Sequence, residues 1–345
     1  MIKRALQTVI GGGTLDRELA EGTMGQIMAG EATGSQIAAL LTALRMRGET
    51  VEEITGFAAA MRSFVTPVES GLSGLVDTCG TGGDGAQTFN ISTTASFVAA
   101  AAGVKIAKHG NRSVSSRSGS ADVLQALGVN IDLTPEQASQ CLEQVGLTFL
   151  FAQLYHPAMK HAIGPRRELG FRTVFNVLGP LTNPAGTKRQ VIGTFGADLV
   201  DKMAYALAEL GTEHALVVHG ADGLDEITVT GSTKIAEVRG GKVERVFTLT
   251  PEEVGLQRHP IDALQGGDAQ ENAEILVRIL EGQSGGARDI VVINAAATLY
   301  VAGTAASIQE GVRLAQDAID SGRALALLEN LVNVSQSMVR EKELA

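Results

Sequence analysis

Four glycines in six residues, Gly80-Thr81-Gly82-Gly83-Asp84-Gly85, follow directly on the short apolar run Leu75-Val76-Asp77. Backbone without side chains lets N–H groups approach an anion closely, so such a loop suits phosphate. Asn90-Ile91-Ser92-Thr93 comes next, at the predicted start of a helix. Free N–H groups and the positive end of the helix dipole favour phosphate there as well. A tight turn with an ordinary cap would account for one glycine, but not for this density. A second cluster, Lys108-His109-Gly110-Asn111-Arg112-Ser113-Val114-Ser115-Ser116, offers a point cation, a guanidinium fork, an amide and several hydroxyls. Taken alone it reads equally well as a solvated loop. A third, His219-Gly220-Ala221-Asp222-Gly223-Leu224-Asp225-Glu226, ends in adjacent carboxylates. These suit Mg²⁺, which takes oxygen ligands, keeps waters and shares substrate phosphates. Their position after a strong strand favours a metal role over simple solvation.

Three further patterns carry less. Gly80, Gly82 and Gly85 satisfy the dinucleotide fingerprint. A nicotinamide site, however, wants a carboxylate at the end of the second strand, and this strand ends in Lys108-His109. The run Gly282-Gln283-Ser284-Gly285-Gly286 has the G-x-S-x-G form but follows a helix in a polar stretch, so it is read as a loop. His156 and His161 lack an H-E-x-x-H context and are read as structural.

The elements that must position these clusters change character along the chain. The first sixty-odd residues read as helical. Thr33 caps an apolar-periodic run through Ile37, Leu40, Leu41 and Leu44 that closes at Gly48. Thr50 and Glu53 form a capping box for a helix through Ile54, Phe57 and Met61. A Pro-, Ser- and Gly-containing link then leads to Gly74, so a helical domain is expected over 1–70 and a second domain over 75–345. From Leu75 short strands and helices alternate. Strands are expected at Leu75-Val76-Asp77, Val104–Ala107, Ala215–Val218 and Ile290–Ile293. Helices are expected at Ile91–Ala102, Ala121–Leu127 and from Thr134-Pro135. This alternation predicts an α/β fold with a mostly parallel, helix-covered sheet. Residues 227–248, rich in Val and Thr and split by glycines, predict antiparallel hairpins.

Composition narrows the function classes. With 44% hydrophobic and 19% charged residues over 345 positions, the chain is an ordinary globular one, long enough for more than one domain. A net charge of −10 with no basic run speaks against a duplex or membrane-surface binder. Two cysteines, Cys79 and Cys141, make neither a disulfide framework nor a tetrahedral zinc site. No segment reads as a signal or a membrane span, so a cytoplasmic location is expected.

The ordered motifs GTGGDG, TFNIST, AKHGNR, VSS and SGSADVL between Asp77 and Leu127 resemble the anthranilate phosphoribosyltransferase family. So do IMAGEAT, ALRMRGET, RRELGFRTVFNVLGPLTNPA, GADGLDE and GGDAQENA, collinear over nearly the whole chain. Pro165 stands one residue later than that pattern leads one to expect. The resemblance implies a small helical domain joined to a larger α/β domain, with the site in the cleft between them. It implies that part of 166–185 packs on the helical side, and a homodimer formed through that side. It implies transfer of a phosphoribosyl group from phosphoribosyl pyrophosphate to anthranilate, with Mg²⁺, in tryptophan biosynthesis. Phosphoribosyl pyrophosphate is then assigned to Gly80, Gly83, Asp84, Thr88, Asn90, Ile91, Ser92, Thr93, the run Lys108 to Ser116, and Ser120. Ser92, Asp225 and Glu226 match the family's magnesium positions, and Gly80, Asn111 and Arg166 its anthranilate positions. Residue types alone do not separate Arg166 from Arg167 or Arg172. Two alternatives stay open at this point: a pyrimidine nucleoside phosphorylase-like enzyme, and a non-enzymatic nucleic-acid-binding relative of the same fold. The GTGGDG and KHGNR forms disfavour the first; the acidic charge and the Asp225-Glu226 pair disfavour the second.

Overall fold

The computed structural model describes residues 1–113 and 117–344. Helices α1 (Ile2–Ile10), α2 (Arg17–Met28), α3 (Gly34–Arg47) and α4 (Val51–Ser63) form an N-terminal bundle. The expected caps are present. Thr33 Oγ1 accepts from Gln36 N at 3.2 Å and Thr50 Oγ1 from Glu53 N at 3.3 Å, each with the return bond that completes the box. Glu53 does more than cap. Fully buried, it also accepts from Leu15 N at 2.9 Å and pairs with Arg47, tying α4 to the start of α2 and the end of α3. The α2–α4 crossing is tight: a Cβ on Gly56 would lie 2.5 Å from the Arg17 carbonyl oxygen.

Seven strands make one sheet: β1 (Val76–Gly80), β2 (Ile106–Gly110), β3 (Leu147–Phe151), β4 (Arg189–Gly193), β5 (His214–Gly220), β6 (Thr233–Arg239) and β7 (Lys242–Leu249). Their spatial order is β3-β2-β1-β4-β5-β6-β7. The first five are parallel, and β6 and β7 are antiparallel additions at one edge. The chain builds outward from β1 through β2 to β3, then returns to build β4 and β5 on the other side. The strand order therefore reverses between β1 and β4, where open α/β sheets place ligands.

The covering helices are α5 (Ile91–Ala101), α6 (Ser120–Ala126), α7 (Pro135–Val145), α8 (Ala152–Tyr155), α9 (Lys160–Leu169), α10 (Val174–Leu178), α11 (Ala197–Glu209), α12 (Ala269–Leu280), α13 (Gly286–Ala302), α14 (Ile308–Asp320) and α15 (Arg323–Leu344). Alternate residues of each central strand enter different cores. Val191, Leu216 and Val218 join the core formed with α5, α13 and α14. Ile192, Ala215 and Val217 join the core shared with α1–α4, α10 and α11. The bundle and the sheet thus share one apolar core. Helix α9 packs on α2 and α3, and α10 packs on α3 and α4. Pro165 is carried inside α9, which continues to Leu169, so the shifted proline leaves Arg166 on the helix.

Two expectations need correction. Ile290–Ile293 is not a strand but part of the 17-residue helix α13, with all four side chains fully buried. A helix enclosed on all sides shows the same continuous apolar run as a buried strand, and length rather than periodicity separates them. Within 227–248 the hairpin is β6–β7, closed by Gly240 and Gly241 with φ of 55° and 73°, as a two-residue type I′ turn requires. Residues 227–232 form no strand. Among the described residues no helix is long and apolar enough to cross a membrane.

Candidate active site

The glycine loop leaves the end of β1 with Gly82, Gly83 and Gly85 at φ of 64°, 76° and 78°, a region that favours glycine. Thr81 ties it to the end of β4: its N–H donates to the Gly193 carbonyl at 2.9 Å, and its Oγ1 accepts from Phe195 N at 3.0 Å. Asp84 accepts from Ala86 N at 3.2 Å. Thr88 forms a β-bridge with Gln265. Beside it Asn272 Oδ1 accepts from Gly267 N at 2.7 Å, Asn272 Nδ2 donates to Asn90 Oδ1 at 3.0 Å, and Asn90 Nδ2 donates to the Ser118 carbonyl at 3.2 Å. The Gly266–Ala273 segment is therefore a brace for the start of α5.

At that helix start, Ser92 N–H donates to Glu226 Oε1 at 3.1 Å. Gly82 N–H donates to Asp225 Oδ2 at 2.8 Å. The acidic pair thus reaches both phosphate-type elements at once. The fit is close: a Cβ on Gly80 would lie 2.3 Å from Asp225 Oδ2, and one on Gly193 only 1.5 Å from the Asp225 carbonyl oxygen. Asp222 shapes the preceding turn, accepting from Thr228 Oγ1 at 2.5 Å and Thr230 Oγ1 at 2.6 Å. Asn294 of α13 grips both sides of Ile227, accepting from its N–H at 3.0 Å and donating to its carbonyl at 2.9 Å.

The electrostatics of this crevice favour a cation or a proton beside the carboxylates. Burial, then the neighbouring Asp84 charge, pushes the Asp225 carboxyl up to about 7. Burial, then Asp225 itself, raises Glu226 well above the usual carboxylate range. Lys108 is 3% exposed; its ammonium donates to the Thr78 carbonyl and to Ser92 Oγ at 3.3 Å. Burial lowers its pKa against the pull of Asp77. No three His, Cys, Asp or Glu side chains among the described residues converge as a self-sufficient metal cage. Two adjacent carboxylates beside a serine hydroxyl and an anion-type loop are nonetheless the donor set Mg²⁺ uses when substrate oxygens complete its shell.

In the second cluster, His109 N–H donates to Asp77 Oδ1 at 3.0 Å. The His109 ring meets that of His156, with 3.1 Å between the two Nε2 atoms. Burial, then the opposing ring, lowers His109 to about 3; burial lowers His156 to about 4. Both imidazoles are neutral near pH 7. Gly110 is packed against Ser120, whose Oγ donates to the Asn111 carbonyl at 3.2 Å. Gln153 Nε2 donates to Asn111 Oδ1 at 3.4 Å. Arg112 pairs with Asp122 at 2.7 Å, and Ser113 N–H donates to the same carboxylate at 3.1 Å. Val114, Ser115 and Ser116 lie outside the described residues. Ile91 and Thr93 are buried in the first turn of α5, leaving its backbone as their contribution.

Arg166 stands apart from these clusters. Its guanidinium lies 5.0 Å from the Phe175 ring, and burial lowers its pKa. Among the described residues it bonds none of the glycine-loop residues and has no carboxylate partner. Sequence reasoning missed the placement of Arg172, named there only as inseparable by type from Arg166; its guanidinium carbon lies 4.6 Å from the Phe195 ring centroid and the side chain lies against Gly83. It also missed Asn272, Asn294 and Asn183, the last donating to the Ala107 carbonyl at 2.8 Å. A cleft of about 550 Å³ lies away from all of these, between His214, Glu237, Arg239, Arg245 and Tyr300. There Glu237 already bonds all four of those side chains, a self-neutralised network rather than a vacant anion site.

A helical bundle on a mostly parallel sheet, with an anion-type loop and an acidic pair at the strand-order reversal, defines a class of group-transfer enzyme. Comparison with known proteins agrees. The "Glycosyl transferase family, a/b domain" matches residues 72–325, and the "Glycosyl transferase family, helical bundle domain" matches residues 3–65. The anthranilate phosphoribosyltransferase of Rubrobacter xylanophilus is 57% identical over 339 residues, covering 98% of each chain. That of Brevibacillus brevis is 54% identical, covering 98% of this chain and 99% of its own. The crystal structure of the Thermus thermophilus enzyme superposes with a TM-score of 0.91 at 46% identity, over 96% of this chain and 99% of that one. The Saccharomyces cerevisiae enzyme in complex with PRPP and Mg gives 0.89 at 28% identity, over 97% and 98%. The chain belongs to the anthranilate phosphoribosyltransferase family.

Proposed function

We propose that the enzyme transfers the 5-phosphoribosyl group of phosphoribosyl pyrophosphate to the amine of anthranilate, giving N-(5-phosphoribosyl)anthranilate and pyrophosphate, a step of tryptophan biosynthesis. One observation carries the reading. The glycine loop, the N-terminus of α5 and the Asp225-Glu226 pair are hydrogen-bonded into a single crevice at the β1–β4 switch point. The phosphates lie against Gly80, Gly83, Asp84, Thr88 and the Asn90–Thr93 turn, with Lys108 to Ser116 and Ser120 on the other side. Ser92, Asp225 and Glu226 hold Mg²⁺. Gly80, Asn111 and Arg166 take anthranilate, Arg166 as a fork for the carboxylate.

In the reaction the anthranilate nitrogen lone pair forms a bond to the anomeric carbon while the bond to pyrophosphate breaks. An aromatic amine is already neutral near pH 7, so no general base is assigned; its surplus proton leaves after attack. His109 and His156 are engaged with each other and burial makes both rings weak bases, lowered to about 3 and about 4, which argues against either as that base. The difficult element is charge on the departing pyrophosphate. Backbone N–H groups of the loop and of α5, together with Lys108, stabilise that charge; the Gly82 and Ser92 N–H groups, which donate to Asp225 and Glu226 in the ligand-free crevice, exchange those partners for phosphate oxygens. Ser92, Asp225 and Glu226 would hold Mg²⁺, which would supply further positive charge for the leaving group. Alignment of two substrates across the cleft supplies the remainder.

Two units, residues 1–70 and 75–345, carry this function, with α9 and α10 as the connection between them. The enzyme is a cytoplasmic homodimer joined through the helical bundle. Ile10 and Met46, 71% and 84% exposed on that bundle, support that face. Chromatographic detection of phosphoribosylanthranilate and pyrophosphate tests the activity. Phosphorolysis of pyrimidine nucleosides in its place would refute it.

A further inference from the structure

The β1–β4 switch point has a cation on its rim that the assignments above leave unused. Arg172 lies between α9 and α10, on the segment whose helices pack against the bundle. Its side chain reaches back to the sheet. The guanidinium carbon lies 4.6 Å from the Phe195 ring centroid, two residues beyond the end of β4. A Cβ on Gly83, three residues beyond the end of β1, would lie 3.3 Å from Arg172 Nε. Phe195 and Gly83 are themselves joined through Thr81, whose hydroxyl accepts from Phe195 N at 3.0 Å. One guanidinium therefore touches the loops that follow both strands of the switch point. Arg172 is exposed, and no acidic side chain among the described residues pairs with it. A guanidinium resting over an aromatic ring is restrained by that contact, and its fork of N–H donors matches phosphate.

We infer that Arg172 is a further substrate-binding residue, contacting a phosphate of the pyrophosphate-bearing substrate from across the cleft. This rests on the reading that the crevice takes phosphoribosyl pyrophosphate. Because the side chain comes from the bundle side and its target loop from the sheet side, the contact also holds the cleft together over the bound anion. Arg166, stacked on Phe175, is left to the aromatic acid.

Arg172→Ala and Arg172→Lys test this beside the wild type. The alanine variant should raise the KM for phosphoribosyl pyrophosphate by about tenfold or more, the loss typical of one charge-assisted hydrogen bond. The KM for anthranilate should stay within about twofold of wild type. The lysine variant should recover part of that loss through its charge, but not the bidentate geometry. Binding of inorganic pyrophosphate with Mg²⁺, measured by calorimetry, gives a readout independent of turnover. It should weaken in parallel, while the melting temperature of the ligand-free variants stays near wild type. An unchanged phosphoribosyl pyrophosphate KM, or a rise in the anthranilate KM alone, would overturn the inference. So would a lowered ligand-free melting temperature with pyrophosphate affinity intact. Failure of the wild type itself to bind pyrophosphate would instead refute the underlying reading of the crevice.

Discussion

Asp225→Asn should stabilise the ligand-free protein while it damages the enzyme, and pH separates the two effects. A carboxyl whose folded-state pKa lies above its unfolded value binds its proton more tightly in the folded chain. Burial and Asp84 move Asp225 from 3.8 to about 7. Its contribution to folding is therefore complete below about 3.8 and is lost as pH rises through about 7. At 1.36 kcal/mol per unit, and with allowance for solvent screening, the carboxylate costs the folded state about 2–4 kcal/mol at pH 8. Asparagine removes the charge but keeps an oxygen to accept from Gly82 N–H, so the loop retains its tie. For a chain of this size that is roughly 3–6 °C in Tm. Thermal melts of the ligand-free variant should show that gain at pH 8, shrinking steadily as pH falls from 7 toward 4. Turnover should fall sharply, and the stabilisation by phosphoribosyl pyrophosphate that depends on Mg²⁺ should shrink. A gain equal at pH 5 and pH 8, or a loss of stability at pH 8, would refute the electrostatic account of this crevice.

Arg166→Ala should raise the KM for anthranilate by about tenfold to a hundredfold, the loss of a charged contact of about 1.5–3 kcal/mol, with little effect on that for phosphoribosyl pyrophosphate; the reverse pattern in steady-state kinetics would remove Arg166 from the anthranilate side. Gly82→Val should cripple turnover with the fold retained by circular dichroism, because nothing lies within 4 Å of a Cβ there but φ is 64° in a loop that must face phosphate. Gly193→Ala should do more structural harm, because its methyl would fall on the Asp225 carbonyl; reduced Tm together with lost Mg²⁺-dependent activity is expected, and a fully active variant would show that the Asp225 turn can move freely.

Features encoded over a few residues were legible in the sequence. The caps at Thr33 and Thr50 and the start at Thr134-Pro135 open α3, α4 and α7 where the side chains of nearby residues say they should. The glycine loop and the start of α5 are local too. Features made by packing were not legible. Strands β3, at one edge of the sheet, and β4, in its middle, went unnoticed, since a buried parallel strand carries no alternation. Ile290–Ile293 looked like a strand because α13 is enclosed on every side. In the crevice, the acidic residues could be named from their type. What sets their proton affinity is burial by Gly80 and Gly193 from two other strands, contacts more than thirty residues away in sequence. Arg172 could not be told from Arg166 and Arg167 for the same reason: Phe195 and Gly83 become its neighbours only when β1 and β4 pair.

The central claim is that this crevice brings phosphoribosyl pyrophosphate and anthranilate to reaction, with the acidic pair as the metal's protein ligands. The decay of anthranilate fluorescence measures it directly, with phosphoribosyl pyrophosphate and Mg²⁺ each omitted in turn, for wild type and for Asp225→Asn combined with Glu226→Gln. Rapid decay is expected only in wild type with every component present. The double variant should be slower by orders of magnitude and partly recovered by higher Mg²⁺. Decay without Mg²⁺, or a double variant matching wild type in rate and Mg²⁺ dependence, would contradict it.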